Sequence, residues 1–220
     1  MLNTLINMGN IITNYNGNVK DGKRHGFGCQ YHDSDMKIKL YEGEFVDNKY
    51  HGFGKLYDEF GTLHYEGNFQ HGKYHGSGKT YTPDLSRTYR RDMLLYKGNW
   101  KNGCMDGLLE IYNDKNLVVR CIMKNNKIDG KFMLFGKNYI MCGKMYDRKI
   151  NNANIIFENG DNYFGCLRLI ISNFMLIPDE ESLRDYITNK NIDKMESDRN
   201  LYDQYNKSFD SVDILSIDNE

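Results

Sequence analysis

The sequence predicts a mainly β fold: an elongated, single-layered antiparallel sheet of stacked β-hairpins, closed by a short helical C-terminal cap and a tail. Three features predict it. A large–x–Gly–x–large pattern recurs along most of the chain. Each copy has the two-residue period of a strand. Gly or Asn follows at a fixed offset, where a hairpin must turn. Composition agrees, with 21 Gly and 17 Tyr against two Pro, as short strands and tight turns require.

Aligning the chain on Tyr15, Tyr41, Tyr65, Tyr96, Val119, Met141 and Tyr163 gives intervals of 26, 24, 31, 23, 22 and 22 residues. Two residues on stand Gly17, Gly43, Gly67, Gly98, Cys121, Gly143 and Gly165. Four residues on stand Val19, Phe45, Phe69, Trp100, Met123, Met145 and Leu167. Large residues at both ends of this alternation put one apolar face on each strand. At +6 and +7 come Asp21-Gly22, Asp47-Asn48, His71-Gly72, Asn102-Gly103, Asn125-Asn126 and Asp147-Arg148. Gly and Asn accept positive φ at low cost, so these pairs read as hairpin turns. The return strand then carries His25-Gly26-Phe27-Gly28, His51-Gly52-Phe53-Gly54 and His75-Gly76-Ser77-Gly78, softening to Asp106-Gly107, Asp129-Gly130 and Asn151-Asn152. Tyr31, Tyr57, Tyr81, Tyr112, Phe135 and Phe157 close it at +16, and turns such as Glu59-Phe60-Gly61 lead on.

In this form Tyr41-Glu42-Gly43-Glu44-Phe45, followed by His51-Gly52-Phe53-Gly54, resembles the MORN repeat, the membrane occupation and recognition nexus motif. The resemblance runs from about Asn14 to Leu167 in six nearly complete copies, with Cys121 replacing one Gly and Asp or Asn replacing His in the later ones. The repeat core is then Tyr15, Gly17, Tyr41, Gly43, Phe45, Gly52, Gly54, Tyr65, Gly67, Phe69, Gly76, Gly78, Tyr96, Gly98, Trp100 and Gly107. The resemblance implies an adaptor or structural component at membranes and cytoskeletal structures. The family's name further implies contact with anionic lipid.

Taken in order, residues 1–13 form a lead whose Leu5, Ile6, Ile11 and Ile12 cover or extend the first edge. Residues 14–168 form the meander of six hairpins and a final strand. One hairpin cannot bury its aromatic face alone, whereas stacked hairpins can. Thirteen strands at about 4.8 Å each span roughly 60 Å. Residues 169–188 cap the far edge, with Asp179-Glu180-Glu181 ahead of Leu183, Tyr186 and Ile187 reading as a short amphipathic helix. Residues 189–220 are polar and acidic, and weak order is expected there.

The net charge of −1 hides an asymmetry: Ser172–Glu220 holds twelve acidic against five basic residues, near −7, leaving the body near +6. A tail of that sign is placed to shield a basic edge. The five cysteines are odd in number and none sits in a C-x-x-C, so they read as reduced thiols in the cytoplasm. The N-terminal stretch does not read as a signal peptide. No apolar run approaches the roughly 20 residues of a spanning helix, so any membrane contact is peripheral.

Residues that resemble catalytic or ligand sites have simpler readings. Gly78-Lys79-Thr80 lacks the Gly that a phosphate loop needs five residues earlier, where Lys73 stands. The six histidines lie between His25 and His75, but His25, His51 and His75 occupy equivalent places in successive hairpins, roughly 9–10 Å apart, too far to share one metal. Cys29 with His25 and His32 is a local coincidence. No catalytic residue, metal, cofactor, nucleic-acid partner or small-molecule substrate is expected. Two basic features stand out. Lys23, Lys49, Lys73, Lys127 and Lys149 recur at +8, just past each turn, and line one edge of the sheet. The 31-residue interval marks a lengthened loop with Arg87, Arg90 and Arg91 around Tyr89. The plain readings are a solvated edge and a surface insertion. The functional expectation is a non-enzymatic scaffold that binds a protein partner or itself, the alternative being peripheral binding of an anionic membrane through these residues.

Overall fold

The turn pairs set the architecture. Asp21-Gly22, Asp47-Asn48, His71-Gly72, Asn102-Gly103 and Asn125-Asn126 have positive φ at both positions. That is the type I′ conformation, whose twist matches the strands it joins. Each therefore folds the chain back at once, pairing Lys20 with Lys23, Val46 with Lys49, Gln70 with Lys73, Lys101 with Cys104 and Lys124 with Lys127. The computed structural model describes residues 14–83, 92–113, 115–146, 149–159, 161–165, 184, 194–195 and 206–207. The lead 1–13, the Arg87–Arg91 loop and most of the cap and tail lie outside them.

The chain divides into two units, Met1–Met93 and Leu94–Glu220. In the first, β1 (Tyr15–Lys20), β2 (Lys23–Tyr31), β3 (Lys39–Val46), β4 (Lys49–Tyr57), β5 (Leu63–Gln70) and β6 (Lys73–Pro83) form an antiparallel meander. The second holds β7 (Asp92–Lys101, whose first two residues precede the division), β8 (Cys104–Asn113), β9 (Asn116–Lys124), β10 (Lys127–Phe135), β11 (Tyr139–Tyr146), β12 (Lys149–Phe157) and β13 (Asn162–Gly165) in the same order. Lys194–Met195 (β14) pairs antiparallel with β13. The expected mainly β stack of hairpins is thus present in both units. Of the helix expected from Asp179 onward only Arg184 is described, and it is helical.

Each hairpin of the first unit carries a bulge two residues long. Gly43 faces Gly54, yet the next residue, Glu44, faces His51. Gly52 absorbs the extra length with φ +55°, and a Cβ there would also strike the Glu44 carboxylate. Beyond the bulge the two glycine columns meet across the strands, as Gly17–Gly28, Gly43–Gly54 and Gly67–Gly78. Over each pair lies the ring of the strand's first tyrosine. A Cβ on Gly43 would sit 2.6 Å from both Gly54 Cα and the Tyr41 hydroxyl. The ring's reach is fixed by hydrogen bonds in which Tyr15, Tyr41 and Tyr65 donate to the carbonyls of Asn18, Glu44 and Asn68 at 2.8, 3.0 and 3.0 Å.

The rings interlock between repeats. Phe45 packs edge-on against Tyr15 and Tyr41, at 5.2 and 5.0 Å, and Phe69 against Tyr41 and Tyr65, at 5.2 and 5.0 Å. Tyr50 stacks flat on Tyr41 and Tyr74 on Tyr65, both at 3.8 Å. Such pairs add about 0.5–1.5 kcal/mol each beyond the area they bury. Val19 departs from its column: it is exposed, because β1 is buried only at Tyr15.

The last hairpin is one residue shorter. Gly143 pairs with Ala153, ten residues on, whereas Gly43 pairs with Gly54, eleven on. One residue of slip reverses the face. Phe157 therefore pairs with Tyr139 and is buried, while Tyr31, Tyr57, Tyr81 and Tyr112 at the same offset stay half-exposed.

Candidate interaction surfaces

Three surfaces follow from this register. The first is the aromatic seam. Tyr41, Phe45 and Tyr65 are completely buried. Burial pushes the Tyr74 hydroxyl up to about 12 and raises Tyr41 and Tyr65 further. The seam is core, with no ring available to a partner among these.

The second surface is the opposite, outer face of the first unit. Glu42 takes Lys39 at 3.0 Å and the Tyr57 hydroxyl at 3.5 Å, and Glu66 takes Lys55 at 3.3 Å and the Tyr81 hydroxyl at 3.1 Å. The second unit repeats the arrangement at Glu110, with Lys97 at 2.9 Å, the Tyr112 hydroxyl at 3.0 Å and Arg120 at 3.5 Å. Burial alone would raise the Glu110 carboxyl, but the hydrogen bonds from Lys97 and Tyr112 and the two positive charges outweigh it and hold the group below its ordinary value. Beside these polar ties, Phe27 and Phe53 stand in equivalent places on β2 and β4, 58% and 52% exposed. They face Glu44 and Asn68 across the neighbouring strands.

The third surface is the turn edge. Lys23, Lys49, Lys73 and Lys127 are the exposed first residues of β2, β4, β6 and β10, and Lys149 opens β12. None of the first four forms an ion pair among the described residues. Arg87, Arg90 and Arg91 lie outside the described residues.

A profile of the MORN repeat matches residues 15–36, 41–59, 65–87 and 96–108. The first three segments each hold one hairpin in which a tyrosine ring covers a glycine pair, and the fourth opens the next hairpin. The chain carries MORN repeats. The MORN match ends at residue 108, while the hairpins continue: β9–β10 and β11–β12 keep the strand order with Cys121, Phe132 and Ala153 where glycines stood. Gly98 already faces Leu109 in the fourth MORN hairpin. No curated protein matches the chain.

The residues considered for chemistry fall into the MORN framework. Gly78-Lys79-Thr80 lies within β6, with Lys79 opposite Glu66, so it is strand and not a phosphate loop. His51 sits in the β4 bulge, its ring 5.8 Å from His71. Burial pushes the Cys121 and Cys142 thiols up to about 12, and burial with the Glu42 charge raises Cys29, so these sulfurs are poor nucleophiles. No helix among the described residues is long and apolar enough to cross a membrane.

One column escaped the sequence reading. At +9 stand Arg24, Tyr50, Tyr74, Met105, Ile128 and Ile150. Tyr50 and Tyr74 layer on the tyrosines of their own MORN hairpins, and in the first copy the Arg24 guanidinium fills the place, 5.9 Å from the Tyr15 ring and 5.3 Å from Phe45. The +9 backbone holds the next turn: Asn48, Gly72 and Asn126 donate to the carbonyls of Arg24, Tyr50 and Met105 at 3.0, 2.8 and 3.0 Å. Where that turn residue is Asn, its side-chain oxygen accepts the return bond, from Arg24 N at 2.8 Å and from Met105 N at 2.7 Å. A large residue two places after each turn, apolar or aromatic in all copies but the first, was the available signal.

Proposed function

We propose that this protein is a non-enzymatic scaffold whose first unit offers its outer face to a protein partner. The observation that carries the reading is the exposed pair Phe27 and Phe53 on a face otherwise tied by charges, opposite a seam that its own rings already fill. Large aromatic side chains flanked by polar groups are the usual anchors of protein recognition. The high thiol values and the absorption of the histidines and glycines into the repeat support a role without catalysis. The test is affinity capture on the full chain beside a Phe27→Ser/Phe53→Ser variant, with sizing of both. A partner or a self-association that weakens roughly tenfold or more in the variant is expected. No partner and no self-association with the wild-type chain would sink the reading, and unaltered binding by the variant would move it off this face.

A second reading rests on the turn edge. Equivalent residues two strands apart lie about 10 Å from one another, so Lys23, Lys49 and Lys73 make a regular cationic row. Each lysine near an anionic bilayer contributes about 1 kcal/mol, and the attraction is screened by salt. Flotation with phosphatidylserine vesicles is then salt-sensitive and lost in Lys23→Glu/Lys49→Glu/Lys73→Glu. Arg87→Glu/Arg90→Glu/Arg91→Glu tests the loop separately. Flotation indifferent to lipid charge removes this reading.

A further inference from the structure

The second unit has an apolar outer face as well as an apolar seam. Leu108 pairs with Ile122, Met133 with Cys142 and Phe135 with Ile140, all directed away from the seam. They form one cluster in which Met133 and Cys142 are 0% exposed. The same face of the first unit carries Glu42, Lys55 and Glu66 instead. A sheet with one wet face reads as alternation, whereas a sheet covered on both faces reads as unbroken apolar runs. Phe132-Met133-Leu134-Phe135 and Tyr139-Ile140-Met141-Cys142 are such runs. This face is built to be covered.

The described residues beyond Gly165 indicate what covers it. Arg120 lies on the same face, in register with Glu110 and Met133. Its Nη1 donates to Asn206 Oδ1 at 2.8 Å, across 86 residues of chain. Two other points return to this unit. Arg184 reaches Asp161 at 3.4 Å with its guanidinium 3.9 Å from the ring centre of Phe157, on the seam side, and Lys194–Met195 pairs with β13, so these two hold the segment to the unit while Asn206 is the described residue that meets its outer face. We propose that the outer face of the second unit is the docking surface of the chain's own C-terminal segment, anchored where Asn206 meets Arg120. The segment is tethered, so its docking is intramolecular and favoured by a high effective concentration. Its release uncovers an apolar strip on β8–β11 open to another chain.

The test uses the full chain with Lys207, which is exposed and leaves Asn206 in place, replaced by p-benzoylphenylalanine. After irradiation, peptide mapping is expected to find intramolecular crosslinks to β8–β11, with Met133 prominent, and at least fivefold fewer in an Arg120→Ala background. Crosslinks confined to the first unit, crosslinks only between molecules, none above a denatured control, or an unchanged yield in Arg120→Ala would overturn the proposal. Alkylation of the wild-type chain decides the matter independently of how the variants fold. Cys142 is expected to react at least tenfold more slowly than Cys29, and equal rates would overturn the proposal.

Discussion

A glycine under a tyrosine ring and a glycine in a turn are different objects in this molecule. A Cβ on Gly54 would sit 2.5 Å from Tyr41 Cζ and 2.6 Å from Cε2. The ring cannot swing aside, because Tyr50 stacks on it and its hydroxyl donates to Glu44 and His51. Gly22 has nothing within 4 Å of its would-be Cβ, only a φ of +72°. Gly54→Ala is therefore expected to cost about 1–3 kcal/mol through overpacking, and Gly22→Ala about 1 kcal/mol through backbone strain alone. Urea denaturation with tyrosine fluorescence separates them: Gly54→Ala loses the Tyr41–Tyr50 stack, and Gly22→Ala leaves it intact. Equal costs and unaltered spectra in both would contradict the covering role of the ring.

At the scale of the hairpin, the unit of cohesion is the turn of one repeat bonded to the +9 backbone of the repeat before. Asn48 makes that tie twice, through its backbone N–H and its side-chain oxygen, and Gly72 makes it once. Gly72 has φ +83°, a region Asn accepts, and open space around it. Gly72→Asn supplies the missing acceptor to Tyr50 N. It is expected to leave stability unchanged or raise it by up to about 1 kcal/mol, the net worth of one hydrogen bond. Asn48→Gly removes the same bond and is expected to lower stability by a similar amount. Denaturation midpoints of the two variants, moving in opposite directions, check the account.

Acid couples the charge pattern to the whole fold. The Glu110 carboxyl titrates lower in the folded chain than unfolded. Its contribution is thus fully present above the unfolded value, about 4.3, and is lost as pH falls through the folded one. Wild type is expected to be more stable than Glu110→Gln at pH 7, with the gap closing as pH falls below the unfolded value and through the lower folded one. Urea midpoints across that range measure it, and a gap that does not change with pH would remove Glu110 from the acid response.

Much of this architecture is written locally. A type I′ turn needs only two residues that tolerate positive φ, and a strand face needs only alternation, so Asp47-Asn48 and Tyr41-x-Gly-x-Phe45 announced their hairpin without help from the rest of the chain. The lysines at the turn edge were legible for the same reason, since a residue just past a turn has a fixed place. Other features depend on register between distant strands. The assignment of Phe27 and Phe53 to the wet face, the layering of Arg24, Tyr50 and Tyr74 on the first tyrosines, and the inward turn of Phe157 all follow from bulge lengths, where one residue changes the side to which every later side chain points. The meeting of Arg120 with Asn206 lies furthest from sequence reading, because neither neighbourhood carries a mark of the other. Sequence alone therefore determined the repeat, its turns and its paired glycines, which are short-range steric requirements. Tertiary structure alone decided which faces are filled and by what, because burial is a property of residues brought together over long separations.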